Sequence, residues 1–215
     1  RDIMKISNII ICAGICGLLC SCRTLENTRE MSGTYQYDVD FFESQRIEAL
    51  ELVGENGQAR VLIVPDYQAR VMTSTASGVS GDSYGWINHK RIASGGLSPQ
   101  FNPFGGEERF WLGPEGGKFS WYFEPGEEQV YANWNVPSLI DTESFPLIGH
   151  GPRSFTFGRK ATLTNASGTE FHMEIERKIS LLSPSQVEES LGVKLAEGLK
   201  TVAYQTENTL VNRGE

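Results

Sequence analysis

The stretch Glu170-Phe171-His172-Met173-Glu174-Ile175-Glu176-Arg177 puts Phe171, Met173 and Ile175 on one side of an extended chain and His172, Glu174 and Glu176 on the other. Successive side chains of a strand point to opposite faces, so this pattern makes one dry face and one wet face. Sheets with one wet face are characteristically antiparallel. Arg177 falls on the dry side of the alternation.

Working outward, Asn165-Ala166-Ser167-Gly168 reads as a turn, and Ser154-Phe155-Thr156-Phe157 with Ala161-Thr162-Leu163-Thr164 alternates before it. Downstream, Ser183-Pro184-Ser185-Gln186 matches a capping box with proline at the first helical position, and Gly192 is placed to stop that helix. Lys200 to Asn212 alternates again. Upstream, Arg46 to Val53, Ala59 to Val64 and Gln68 to Thr73 read as strands, with Glu55-Asn56-Gly57-Gln58 as a two-residue Asn-Gly hairpin signal. A short helix is expected around Asp40-Phe41-Phe42-Glu43, with Asp38 as its cap. The fold class is therefore all-β, an antiparallel β-sandwich with one or two short helices. The last strand pattern runs almost to Glu215 with no closing element, so the sandwich is expected to be incomplete at its C-terminal end.

Composition narrows the function. The 215 residues carry 19 Lys plus Arg against 27 Asp plus Glu, a formal net charge of −8. An acidic chain lacks the clustered cations that neutralise phosphates, so nucleic acid is not an expected partner. The four cysteines lie at positions 12, 16, 20 and 22. None lies in the region expected to fold, which excludes an internal disulfide or Cys-ligated zinc there. His-x-x-x-His spacing, a phosphate-cradling glycine loop and a nucleophile elbow are also missing, and neither metal nor cofactor is expected.

The N-terminus reads as an address. Lys5 precedes the short apolar run from Ile9 to Leu19, which ends in Leu19-Cys20-Ser21-Cys22. The run is too short for a bilayer span. Its end resembles the bacterial lipobox, which implies a signal peptide over 1–21, cleavage before Cys22 and acylation of the Cys22 thiol, with Cys20 as the second candidate. Residues 22–33 read as a polar tether and 34–215 as the sandwich domain. No acidic run follows Cys22, so the expected place is the cell envelope, lipid-anchored to the outer membrane and facing the periplasm.

The middle of the chain, Gly78 to Pro137, differs from both flanks. All four tryptophans (Trp86, Trp111, Trp121, Trp134) lie in it, with nine of the 23 glycines between Gly85 and Gly126. Long loops of this kind often carry function. Asn102 to Gly117 holds Glu107, Glu108, Arg109 and Glu115 among five glycines, and Gly85-Trp86-Ile87-Asn88-His89 adds an aromatic, an amide and an imidazole. Sugar recognition uses these types: an aromatic face stacks on the C–H face of a pyranose, and carboxylates, amides and Arg satisfy hydroxyls. Ordinary roles compete. Glu107-Glu108-Arg109 also reads as a solvated loop with one local ion pair, Glu115 as a cap on backbone N–H groups, and Trp111 as core.

The phrases Gly105-Gly106-Glu107, Phe110-Trp111-Leu112-Gly113-Pro114-Glu115-Gly116-Gly117, Pro65 to Ser74 and Gly85-Trp86-Ile87-Asn88 resemble an uncharacterised bacterial lipoprotein family with a galactose-mutarotase-like fold. That resemblance implies a β-supersandwich related to aldose 1-epimerases, whose concave face binds carbohydrate. Fold does not transfer function by itself. The expected site has Trp86 and Trp111 stacking on the ring, Asn88 and Arg109 holding hydroxyls, and His89, Glu107 or Glu115 moving a proton. His150, in a Gly-His-Gly turn, and His172 suit proton transfer equally on composition alone. Whether the protein is an enzyme stays open at this point. The rival reading is a non-catalytic binding or assembly module of the envelope.

Overall fold

The computed structural model describes residues 32–214. It contains two antiparallel sheets. The first has three strands in the order β1 (Leu50–Val53), β2 (Arg60–Val64), β3 (Arg70–Thr75). The second has four: β4 (Leu147–Gly151), β5 (Ser154–Thr164), β6 (Glu170–Leu181) and β7 (Tyr204–Asn212). The helices are short: α1 (Tyr35–Ser44), α2 (His89–Ala93), α3 (Ser138–Asp141) and α4 (Pro184–Leu191).

The sheets share one apolar core. Leu52, Val61, Ile63 and Val71 of the first sheet and Phe157, Met173, Ile175, Ile179 and Leu181 of the second are all buried in it. The arrangement is sandwich-like. The second sheet keeps its other face wet, as its alternation requires. The first sheet does not: Leu62, Val64 and Met72 point away from the shared core into a second cluster with Tyr35 and Phe42 of α1, Ile87, Ile92 and Phe104. The unbroken run Val61-Leu62-Ile63-Val64 is the sequence mark of this double covering.

Several expectations are refined. Thr34, not Asp38, caps α1: its side chain accepts from the Tyr37 N–H. Asp38 lies inside the helix and is buried. The β1–β2 connection is longer than two residues, because Gly54 and Ala59 pair through Gly54 N–H to Ala59 O at 2.8 Å and leave four residues in the loop. Gly57 closes it with φ 72°. The two alternating phrases between Ser154 and Thr164 form a single strand. The capping box on Ser183 and Gln186 is formed, and Gly192 ends α4 in the left-handed conformation. His150 sits on β4, paired with Phe155, rather than in a turn.

The middle segment is mostly irregular, but it is not only a surface loop. Phe110, Tyr122, Phe123, Val136, Leu139, Ile140 and Phe145 join the shared core. Backbone and side-chain bonds replace a sheet ladder there: Asn102 Nδ2 donates to Asp141 Oδ2 at 2.7 Å, and Val136 N–H to Gln100 O at 2.8 Å. Before β3, Gln68 and Ala69 both take left-handed backbone angles (φ 60° and 51°). Such angles cost about 1–2 kcal/mol per residue. Gln68 is held there by donating to Glu143 O at 2.8 Å and accepting from Arg70 Nη2 at 3.1 Å.

Candidate functional site

The loop from Gly105 to Arg109 runs beside β3 and is sewn to it. Glu107 N–H donates to Val71 O at 2.8 Å, Val71 N–H to Glu108 O at 3.1 Å, and Gly106 N–H to Trp86 O at 2.8 Å. Gly105 (φ 89°) packs so tightly on the Trp86 carbonyl that no Cβ fits. Arg70, fully buried beneath, donates to Gly105 O at 2.9 Å. Burial, and then repulsion from Arg109, works against its charge and brings its pKa down to about 9.

Three consecutive charged residues then diverge. Glu107 accepts from Ser74 Oγ at 2.9 and 3.0 Å on its two oxygens, and from Tyr204 Oη at 3.1 Å. Glu108 forms an ion pair with Arg177, whose side chain is completely buried. Arg177 also donates to Ala69 O at 3.2 Å and to Asn208 Oδ1 at 2.9 Å. Arg109 donates to Ile140 O, lies 3.8 Å from Asp141 Oδ1 and stacks over Trp111 at 4.2 Å. The run is therefore a node tying both sheets and α3 together, not a solvated loop.

Glu107 opens onto a wide, shallow depression of about 590 Å³ lined by Ser74, Tyr84, Glu107, Lys200 and Tyr204 among others. Ser74 comes from the first sheet and Tyr204 from the last strand of the second. Burial, and then the Glu107 charge, raises the Tyr204 pKa, so its hydroxyl stays protonated and donates to the carboxylate. Among the described residues Glu107 has no ion-pair partner. Its hydrogen-bond donors there are hydroxyls, with the Lys200 ammonium elsewhere on the same wall, and a carboxylate has about four acceptor positions. Tyr84 and Trp86 are exposed, at 54% and 65%, on the strip of chain beside this loop. A similar hollow of about 580 Å³ on the wet face of the second sheet is lined by Lys160, His172, Glu174 and Arg213, with Arg213 paired to Glu174 and His172 Nε2 3.1 Å from Glu170.

The other expected site residues lie elsewhere. Asn88 caps α2, accepting from Arg91 N–H at 3.2 Å and donating to Pro103 O at 3.0 Å. His89 Nε2 bonds Asp38 Oδ1 at 2.7 Å, with the ring edge-on to Phe41 at 4.6 Å. Ser83 Oγ donates to the other oxygen of Asp38 and lies 2.6 Å from Thr73 Oγ1. This chain belongs to the helix-covered side of the first sheet. Trp111 is half-buried against the shared core and donates from Nε1 to Glu115 at 2.8 Å. Among the described residues no hydrogen bond, ion pair or ring contact joins Glu107 to His89 or to Glu115. Sequence reasoning missed Ser74, Tyr84 and Tyr204. Only the inward register of Tyr204 on an alternating strand pointed towards them.

Residues 1–21 and Cys22, read as signal peptide and lipidation site, lie outside the described residues, as does the tether except for Ser32 and Gly33. Among the described residues no helix is long and apolar enough to cross a membrane. None of them form a group of three or more His, Asp or Glu side chains set to hold a metal ion.

Residues 33–215 match the model of a family of unknown function, DUF6786, and the chain belongs to that family. No curated protein and no solved structure matches it.

Proposed function

We propose that this is a carbohydrate-binding protein of the cell envelope, anchored through acylated Cys22 to the outer membrane and facing the periplasm. In this reading the two sheets are part of a mutarotase-like sandwich. The observation that carries the binding proposal is the Glu107 carboxylate, held by the hydroxyls of Ser74 and Tyr204 at the wall of an open depression, with no ion-pair partner among the described residues. Such a group calls for hydrogen-bond donors from its ligand, and sugar hydroxyls supply them. Exposed Tyr84 and Trp86 beside the loop offer the flat faces that a pyranose stacks upon.

Binding is favoured over ring-opening catalysis. Epimerisation needs an acid and a base on one sugar, whereas His89 is bonded to Asp38 on the opposite side of the first sheet from Glu107. Calorimetric titration of the full chain with a panel of neutral mono- and oligosaccharides tests the proposal. Glu107→Gln removes a charge-assisted acceptor worth about 1.5–3 kcal/mol and is expected to weaken binding ten- to a hundredfold. Trp86→Ala is expected to weaken it less. No binding across the panel, or unchanged affinity in both variants, defeats this reading. For the anchor, metabolic labelling with a fatty acid is expected to mark the protein and to fail in Cys22→Ser.

A further inference from the structure

Away from the cleft, four aromatic rings form a column that ends in solvent. Trp111 packs on Tyr122 with ring centres 5.7 Å apart. Tyr122 stacks on Trp134 at 5.6 Å and 13°, and Trp134 on Tyr131 at 6.2 Å and 14°. The first ring lies on the Arg109 guanidinium and the second is fully buried, while Tyr131 is 78% exposed. An exposed tyrosine on a loose loop would mean little. This one sits on a fixed mount. The turn Tyr131–Asn133 is closed by Trp134 N–H to Tyr131 O at 3.2 Å. Gln100 Nε2 clamps it from outside, donating to Tyr131 O at 2.8 Å and to Trp134 O at 3.1 Å. Gln100 in turn lies two residues from Asn102, which is bonded to Asp141.

We infer that Tyr131, backed by Trp134, is a second sugar-contact point, a platform for one pyranose of a neutral glycan. The inference rests on the proposed ligand class but not on the Glu107 cleft. A flat, pre-oriented ring with a free face is what the C–H face of a pyranose packs on, and its fixed mount leaves little ordering cost at binding. The rim supplies hydroxyl acceptors: the Glu128 carboxylate, and the Asn133 amide oxygen, whose Nδ2 is used on Glu128 O at 2.9 Å. The rim also sets the charge class. Glu124, Glu127 and Glu128, three to seven positions before Tyr131 in the chain, are all exposed, so this stretch disfavours uronate- or sulfate-bearing glycans. A second contact on the same molecule gives long glycans an advantage over single sugars through effective concentration.

The test is titration of the full chain with neutral hexasaccharides and with oligogalacturonate, on the parent, Tyr131→Ala, Tyr131→Phe and Glu107→Gln. Circular dichroism verifies that each variant is folded. Tyr131→Ala is expected to weaken the neutral hexasaccharide about three- to tenfold, and Tyr131→Phe to retain its affinity, since stacking needs the ring and not the hydroxyl. Loss of affinity in Tyr131→Ala with none in Glu107→Gln supports the platform and defeats the cleft. Loss in Glu107→Gln with none in Tyr131→Ala does the reverse. Equal binding of oligogalacturonate, or no binding of any glycan, overturns the inference.

Discussion

Tyr204, on the last strand of the second sheet, donates its hydroxyl to Glu107, a residue 97 positions earlier, at 3.1 Å. The same carboxylate takes Ser74 Oγ from the first sheet. One side chain thus bridges the two layers at the mouth of a cleft. Removing either donor tests how much that bridge holds. Tyr204→Phe and Ser74→Ala are each expected to cost about 1 kcal/mol in urea unfolding, as for a typical hydrogen bond, and to lower sugar affinity in step with Glu107→Gln. Unchanged stability and affinity in both variants would show that the bridge does nothing.

The Arg177–Glu108 pair should be costlier to break. The guanidinium is entirely buried and has four acceptors, both carboxylate oxygens of Glu108, Asn208 Oδ1 and the Ala69 carbonyl. Glu108→Ala strands the wholly buried Arg177 charge and is expected to destabilise by about 3–5 kcal/mol, whereas replacing both partners by apolar residues of like volume costs much less than either single change implies. Strict additivity of the two substitutions in urea midpoints would contradict this.

Glycine 105 is a sharper structural test. A Cβ there meets the Trp86 carbonyl, and the backbone has φ 89°. Gly105→Ala is expected to cost about 1–3 kcal/mol or more, from overpacking and backbone strain together. Gly96, with open space around it, is the control, and Gly96→Ala should stay within about 0.5 kcal/mol of the parent.

Alkaline pH should unfold the domain through its phenols. Tyr35, Tyr122 and Tyr204 are raised well above the ordinary value of 10.0, and Tyr67 to about 12, burial being the first cause in each. Above pH 10 the unfolded chain releases protons that the folded chain keeps. The phenols' contribution to stability is therefore whole below that pH and falls as pH rises, by about 1.4 kcal/mol per pH unit for each fully buried phenol. Urea midpoints measured between pH 8 and about 11 should drop, and Tyr35→Phe should flatten the slope. The lowered pKa of Arg70 and Arg109 works in the opposite sense over part of this range, so the deciding comparison is Tyr35→Phe against the parent: parallel profiles would rule Tyr35 out.

Elements defined by local pattern were legible in the sequence. Phe171, Met173 and Ile175 alternate because one face of β6 is wet, and Ser183 with Gln186 caps α4 within four residues. The partners of charged residues were not legible. Asp38 has the look of a helix cap, but His89 meets it 51 residues away, and only the packing of α1 on the first sheet makes that contact. Glu107, Glu108 and Arg109 look alike as a run, yet their backbone lies along β3 and gives each its own partners: Glu107 the hydroxyls of Ser74 and Tyr204, Glu108 the buried Arg177, and Arg109 the α3 end at Ile140 and Asp141. The sequence groups Trp111 and Glu115 with Glu107 in one glycine-rich stretch. They bond each other instead, four residues apart, because the chain turns into the core at Phe110.

The covering of β2 on both faces has a corollary in time. Its amide protons meet deuterium only when the helix-side cluster and the inter-sheet cluster have both come apart, so Val61 to Val64 should hold protium longest. Strand β7 has solvent along most of its side chains and, among the described residues, pairs with β6 alone, so its amides in this chain should exchange far sooner. The molecule would then soften from the Tyr204 side inward, and the cleft wall that contacts Glu107 would be the part most able to yield to an incoming ligand.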